Sequence, residues 1–261
     1  MNRALILMYH MVDEPESSKE LRFCTPPKEF RRQMAYLEGS AFIPITLEQL
    51  VSGMNGQSTL PENPICITFD DGFESVLTHA LPVLNQYQMP ATLFAVSDLI
   101  GKTNIWMHKR AFPRRNILTW PQLRELDDAG VTIGSHTRTH VRLTEIPKSS
   151  MIDEISNSKK QLEDALGKSV DYFAYPYGLY DQEAITTVVD AGYSAACSTL
   201  SGFNRGDQDI FQLRRIDIFG TDQLWKFRQK LQFGINKTNW LFPGKYYLGR
   251  LKSRLGLSGN N

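Results

Sequence analysis

Several features that define other protein classes are missing from this chain of 261 residues. No run approaches the ~18 apolar residues of a membrane-spanning helix, and the apolar stretch Ala4–Met8 is too short for the core of a secretory signal. With a start at Met1, these absences predict a cytoplasmic protein. A net charge of +1 argues against a dedicated nucleic-acid binder. The three cysteines are widely spaced without a CxxC pair, which argues against a disulfide framework and predicts buried free thiols.

Short runs of β-forming residues alternate with helical patterns along most of the chain. This alternation predicts an α/β fold with a parallel sheet, and about seven strands in one domain favour a barrel. The predicted strands are Leu5–Tyr9, Ile65–Phe69, Thr92–Val96, Val131–Ser135, Tyr172–Tyr175, Ser194–Ser198 and Leu213–Ile218. The predicted helices are Lys28–Leu37, Glu74–Tyr87, Pro121–Ala129, Ser150–Leu166, Gln182–Ala191 and Asp222–Leu231.

The charge that is present is unevenly distributed. Eight Lys and Arg residues but only one Asp lie between Thr221 and Asn261, so this segment is strongly basic and the rest of the chain is acidic. We therefore expect a barrel domain over residues 1–232 and a basic C-terminal tail over residues 233–261.

Two polar segments hold residues that suit a metal site. Asp70 and Asp71 come directly after one predicted strand, and His136 and His140 follow another. In α/β barrels the carboxyl ends of the strands form the rim that carries the active site. Two histidines and a carboxylate suit zinc, cobalt, nickel or ferrous iron, and the second carboxylate can take a proton from water. The i, i+4 histidine spacing predicts a helical turn with both rings on one side. The alternatives are acids in a surface turn and histidines on a helix surface.

A third strand end carries a proline turn, Tyr175-Pro176-Tyr177-Gly178. A turn fixed by proline can aim a backbone N–H, here that of Tyr177, at a developing oxyanion. The alternative is a rigid turn with packed aromatic side chains.

The sequences TFDDG, which ends at Gly72, and SHTRTH, which ends at His140, resemble two motifs of the polysaccharide deacetylase family. This family is also called carbohydrate esterase family 4 or the NodB-homology domain, and the resemblance covers about Leu5–Leu231. It implies a distorted (β/α)7 barrel, usually with zinc. The roles that it implies are Asp70 as the base and Asp71, His136 and His140 as the metal ligands. It also suggests that Trp120 lines the substrate groove, half-buried packing being the alternative.

The chain departs from the family pattern at two positions. Ala174 stands where the family has an arginine that contacts the base, and no histidine follows His140 to act as the general acid. A branch of the family that acts on poly-N-acetylglucosamine resembles this chain in having an N-terminal Tyr-His, which implies that His10 is the acid. The Leu-x-Arg-Ile pattern of that branch implies that Arg215 pairs with Asp70, with Arg214 as the alternative.

The resemblance implies a hydrolase that removes N-acetyl groups from N-acetylglucosamine-type polysaccharide and releases acetate. Its partner would be a glycan with N-acetyl amino sugars. Three alternatives stay open. These are a deacetylase of lipid- or nucleotide-linked N-acyl amino sugars at the inner membrane face, a hydrolase of small non-sugar amides, and a non-catalytic carbohydrate-binding protein. Membrane contact would use the basic tail, whose aromatic residues are Trp240, Phe242, Tyr246 and Tyr247, on anionic lipid; a solvated tail is the alternative.

Overall fold

Strands and helices alternate through the residues that the computed structural model describes, which are 3–108, 110–241 and 244. The strands are β1 (Leu5–Tyr9), β2 (Met11–Val12), β3 (Cys24–Thr25), β4 (Ile43–Pro44), β5 (Pro64–Phe69), β6 (Thr92–Ala95), β7 (Thr132–Ser135), β8 (Tyr172–Ala174), β9 (Ala195–Cys197) and β10 (Ile216–Asp217). The α-helices are α1 (Pro27–Glu38), α2 (Leu47–Met54), α3 (Leu81–Gln86), α4 (Ile105–His108), α5 (Trp120–Asp128), α6 (Lys148–Leu166), α7 (Gln182–Asp190) and α8 (Leu224–Phe233). A π-helical segment, Val76–Ala80, precedes α3.

The main sheet curls into a barrel of parallel strands. Its order is β10, β1, β5, β6, β7, β8 and β9, and β4 pairs with the first residues of β5. Leu7 of β1 pairs with Ile216 of β10. At the other edge, Cys197 of β9 forms a parallel bridge to Leu213, which brings the sheet back towards β10. The strands of this path are those predicted from the sequence, and the α/β barrel fold is confirmed.

Side-chain alternation along the strands separates two apolar layers. Leu5 and Leu7 belong to the large cluster that packs beneath the helices, whereas Ile6 belongs to a smaller cluster inside the barrel. The interior is tightly filled, because a Cβ at Gly134 would lie 2.6 Å from the ring of Phe94. Successive residues of a strand point to opposite faces, so this parity decides which rim residues turn towards the barrel axis.

Helix α2 is an element that the sequence prediction missed. Its residues Leu47, Leu50 and Val51 join the interior cluster, so the helix covers one end of the barrel. Thr46 and Gln49 form a reciprocal capping box at its start. That Thr-x-x-Gln spacing is a known helix-start signal and was present in the sequence.

The cysteines and the helices of the described chain bear on two features of the composition. Cys24, Cys66 and Cys197 are all free and buried, as predicted. None of the described helices is both long and apolar enough to cross a membrane.

The predicted C-terminal tail lies mostly outside the described residues. Helix α8 ends at Phe233, and Gly234 follows it in the left-handed conformation. Near the end of the described chain, Trp240 is 76% exposed and stacks on Trp225 with ring centroids 4.2 Å apart. The division into a domain over 1–232 and a tail over 233–261 therefore stays a prediction.

Candidate active site

Asp71, His136 and His140 meet at the carboxyl-end rim of the barrel. Asp71 follows β5 and His136 follows β7. One ligand atom from each of the three residues lies within 4.8 Å of the others. Oδ1 of Asp71 lies 3.1 Å from Nε2 of His140 and 3.6 Å from Nε2 of His136. All three side chains are buried, so the cluster is a candidate metal site and not a group of solvated surface charges.

The two histidines meet on a loop, and the predicted helical turn between them is wrong. Thr137 and His140 both have left-handed backbones, with φ of 65° and 61°. This conformation is unusual for any residue with a Cβ and most unusual for a β-branched one, and each instance costs about 1–3 kcal/mol. The hydroxyl of Thr137 accepts a hydrogen bond from the backbone N–H of His140 at 3.0 Å. The i, i+4 spacing therefore brings the rings together through a tight loop, with centroids 4.9 Å apart.

His136 and Asp71 have pKa values that suit metal binding, which requires neutral imidazoles and ionised carboxylates. Nδ1–H of His136 donates to the carbonyl oxygen of Ala174 at 2.7 Å, which leaves the Nε2 lone pair free. Burial lowers the pKa of His136 to about 4. Burial alone would raise the pKa of Asp71, but the charge of His140 and of the other nearby histidines outweighs it and lowers the pKa to about 2. Oδ1 of Asp71 is buried, and its near neighbours are the Nε2 atoms of the two histidines, so the donor set fits a divalent metal.

Asp70 lies beside this cluster in a buried ion pair with Arg215. The two guanidinium nitrogens Nη1 and Nη2 donate to Oδ1 and Oδ2 of Asp70 at 2.6 and 2.8 Å. Burial would raise the pKa of Asp70, but the charge and hydrogen bonds of Arg215 lower it below its ordinary value. Arg214 instead contacts Gln208 and the carbonyl of Ser201. Of the two candidate arginines, the structure places Arg215 on the carboxylate.

His10 lies on the same rim, directly after β1, and contributes charge near both aspartates. Burial raises the pKa of both aspartates, and nearby charges lower it: Arg215 and His136 lower the pKa of Asp70, and His140 that of Asp71, more than His10 does. Its ring meets Phe23 edge-on at 5.1 Å, and its Nδ1 is buried without a hydrogen bond. The histidine therefore lies close to the aspartate pair, with one ring nitrogen unpaired.

Tyr177 stands against the candidate metal cluster. Its backbone is left-handed, with φ 59° inside the turn Pro176–Gly178. Its ring meets the ring of His140 edge-on at 4.6 Å, so the turn holds the residue next to a candidate ligand. This placement suits the predicted backbone donor.

Aromatic packing around His140 includes a residue that sequence reasoning missed. Trp106, on the short helix α4, stacks on the His140 ring with centroids 4.8 Å apart. Trp120 was predicted to line the groove, but it borders a depression shared with Ser97 and Asp98 and with none of the three clustered residues. Nothing in the sequence pattern distinguished the two tryptophans.

Comparison with known proteins gives concordant results. The family profile described as "Polysaccharide deacetylase" matches residues 57–196. The YxkH protein of Bacillus subtilis, whose name refers to the same family, is 30% identical over 213 residues, which cover 82% of this chain and 70% of that protein. The poly-β-1,6-N-acetyl-D-glucosamine N-deacetylase of Staphylococcus epidermidis is 27% identical over 82% of this chain and 78% of its own length. IcaB from Ammonifex degensii shares the fold, with a TM-score of 0.76 and 23% identity over 90% of this chain and 97% of that chain.

Proposed function

The chain belongs to the polysaccharide deacetylase family, and from this premise we propose that it is a metal-dependent hydrolase that removes N-acetyl groups from an N-acetylglucosamine-type glycan. The observation that carries the proposal is that two adjacent carboxylates, Asp70 and Asp71, have different partners. Asp71 lies with two histidines in a cluster that fits a divalent metal. Asp70 beside it is paired with an arginine and is left out of that cluster.

A divalent metal held by Asp71, His136 and His140 would polarise the acetyl carbonyl and lower the pKa of the attacking water. Zinc is the ion that the donor set favours, with cobalt, nickel and ferrous iron as alternatives. The residues around this cluster would transfer the protons and stabilise the oxyanion.

In the proposed mechanism Asp70 takes the proton of the attacking water. Arg215 keeps Asp70 ionised, because a paired cation favours the charged form of a carboxyl. The backbone N–H of Tyr177 donates to the oxyanion as the carbonyl carbon becomes tetrahedral. Protonated His10 then gives its proton to the amide nitrogen while the C–N bond breaks. The products are acetate and a glycan with a free amine.

The names of two relatives support the proposed substrate class. The Staphylococcus epidermidis relative is named as a poly-β-1,6-N-acetyl-D-glucosamine N-deacetylase, and so is that of Staphylococcus aureus. We propose the same chemistry, amide hydrolysis on N-acetylglucosamine units, for this chain.

The test of the mechanism is Asp70→Asn, which keeps the shape of the side chain and removes the base. We expect zinc content equal to that of wild type by elemental analysis, with acetate release from N-acetylglucosamine oligomers reduced by about 10²–10⁴-fold. Circular dichroism checks that the variant is folded. Substantial residual turnover would overturn the assignment of Asp70, and loss of zinc would show that Asp70 belongs to the metal site itself.

A second candidate is a deacetylase of lipid- or nucleotide-linked amino sugars at the inner membrane face, on the cytoplasmic side. The exposed Trp240, stacked on Trp225, and the exposed Leu241 favour it, since apolar and aromatic groups beside basic residues suit the interface of an anionic membrane. Sedimentation with phosphatidylserine vesicles would compare the full chain with a chain ending at Pro243 and with the Trp240→Ala/Leu241→Ala variant. Equal binding by all three proteins would remove the tail contact.

The intact cluster and base favour an enzyme over a carbohydrate-binding protein on the same barrel. A zinc-loaded protein that binds chitooligomers without releasing acetate would favour the binding protein instead.

A further inference from the structure

One buried carboxylate outside the cluster contacts the chain between the two clustered histidines. Glu154 lies on α6 and is 9% exposed. Its Oε2 accepts hydrogen bonds from the backbone N–H groups of Arg138 and Thr139, both at 2.9 Å. Its Oε1 accepts from the hydroxyl of Thr139 at 2.6 Å. All three donors belong to the loop that joins His136 to His140.

The opposite side of the same loop is held by the turn that follows β6. The backbone N–H of Ser97 donates to the carbonyl of Thr137 at 3.2 Å, and that of Asp98 donates to the carbonyl of Arg138 at 2.9 Å. The N–H groups of Arg138 and Thr139 thus point to Glu154, and the carbonyls of Thr137 and Arg138 point to the turn. Glu154 supplies the side chain that accepts these two backbone N–H groups.

The loop needs such support because its conformation is intrinsically unfavourable. Two residues with left-handed backbones, Thr137 and His140, lie within it, and such residues persist only where their surroundings fix them. An extended or helical loop would separate the rings of His136 and His140. Fixed outer partners of metal ligands are known to control metal affinity.

We propose that Glu154 is a positioning residue for the metal site. Its carboxylate holds the Arg138–Thr139 backbone so that His136 and His140 present Nε2 to the same point as Asp71. The inference rests on the proposed function, since it takes these three residues as the ligands. Glu154 acts through its hydrogen bonds and not through its negative charge, because these bonds go to Arg138 and Thr139 and not to the three proposed ligands.

This distinction makes the side chain testable by substitution. Glutamine at position 154 can accept both backbone N–H groups through its oxygen and donate its amide to the Thr139 hydroxyl, which also accepts. Alanine removes all three hydrogen bonds. Aspartate keeps the charge but is one methylene shorter, which withdraws the carboxylate from the loop. The neighbouring Asp153 is an exposed carboxylate that accepts hydrogen bonds from the side chains of Arg138 and Asn157, and it provides the matched control.

The experiment measures zinc dissociation constants by chelator competition for wild type and for Glu154→Gln, Glu154→Ala, Glu154→Asp and Asp153→Asn. We expect Glu154→Ala to bind zinc about 10–100-fold more weakly, Glu154→Gln to stay within about threefold of wild type, and Asp153→Asn to match wild type. Glu154→Asp should bind more weakly than Glu154→Gln despite its charge. If Glu154→Ala does not fold, this last comparison decides.

The absorption spectrum of the cobalt-loaded protein adds a readout that a purely structural role would leave unchanged. We expect the cobalt bands of Glu154→Gln to match those of wild type and those of Glu154→Asp to differ in a protein with native circular dichroism.

Two results would overturn the inference alone: zinc binding by Glu154→Ala as tight as that of wild type, or Glu154→Gln as weak as Glu154→Asp. Wild-type protein that binds no zinc or cobalt would instead overturn the proposed function, and the inference with it.

Discussion

The ion pair between Asp70 and Arg215 gives the sharpest quantitative prediction. Arg215 is fully buried, and besides its two bonds to Asp70 its guanidinium donates to the carbonyl of Ser198 at 2.9 Å. Arg215→Met fills a similar volume without charge and leaves the Asp70 carboxylate buried and unpaired. Removing one partner of a buried pair costs about 3–5 kcal/mol. We expect a loss of that size in the free energy of unfolding of the metal-free protein.

A variant with both residues replaced distinguishes the effect of the Asp70–Arg215 charge pairing from the loss of side-chain contacts. Asp70→Asn alone leaves the Arg215 cation unpaired and is also destabilising, whereas Asp70→Asn/Arg215→Met leaves no buried charge. Replacing a whole buried pair by uncharged groups is often close to neutral. The double variant should therefore be more stable than Arg215→Met alone, with a coupling energy of about 1–3 kcal/mol.

Urea unfolding followed by circular dichroism measures all four proteins of this cycle. Arg214→Met is the matched control, because Arg214 is half-buried and donates to neutral groups; it should cost about 1 kcal/mol. The reasoning is refuted if Arg215→Met costs no more than Arg214→Met, or if the two single losses simply add in the double variant.

Three further predictions concern other parts of the rim and its supports. His10→Ala should lower the rate of acetate release by about 10²-fold with unchanged zinc affinity; unimpaired turnover would assign the acid role elsewhere. Burial raises the pKa of Glu20, but the hydrogen bonds and charge of Arg115 outweigh it and lower the pKa below its usual 4.5. The folded pKa of Glu20 is below its unfolded pKa, so the ionised Glu20 carboxylate stabilises the folded protein. This stabilisation is complete above about pH 4.5 and is lost as the pH falls through the folded pKa. The stability difference between wild type and Glu20→Gln should therefore shrink in acid, and a constant difference in urea unfolding would contradict the pairing. Gly178→Ala should lower the melting temperature and turnover, because Gly178 has φ 67° and an added Cβ would overlap a neighbouring threonine hydroxyl. The control is Gly167→Ala, where φ is 70° but an added Cβ would meet open space; this variant should retain turnover.

Much of the site could be anticipated because parallel strands end at one rim. Asp70, Asp71 and His136 each follow an apolar run that became a barrel strand. Residues far apart in the chain therefore had to converge once the runs were identified as parallel strands. The motif resemblance then distinguished the base from the ligand, which spacing alone left open.

Local conformation was the part that spacing could not predict. The i, i+4 rule assumes a helix, but Thr137 and His140 adopt left-handed backbones that depend on partners elsewhere in the fold. Those partners, Glu154 on α6 and the turn after β6, come from distant parts of the sequence. A local sequence pattern cannot predict contacts with such distant residues.

The choice between the two arginines depended on strand parity. Adjacent strand residues face opposite sides, so a one-residue uncertainty in β10 exchanges Arg214 and Arg215. Strand β10 proved to be only Ile216–Asp217, shorter than the predicted run. The stacking of Trp106 on His140 was equally inaccessible, since α4 is a four-residue helix in a long connection.

Acetate release from N-acetylglucosamine oligomers tests the central claim most directly. The protein is first stripped with a chelator and then reloaded with one equivalent of zinc. The account predicts no release by the stripped protein, recovery with zinc, and release by zinc-loaded Asp70→Asn reduced by about 10²–10⁴-fold. Equal release with and without zinc, or by wild type and Asp70→Asn alike, would contradict a metal-dependent deacetylase built on Asp71, His136 and His140.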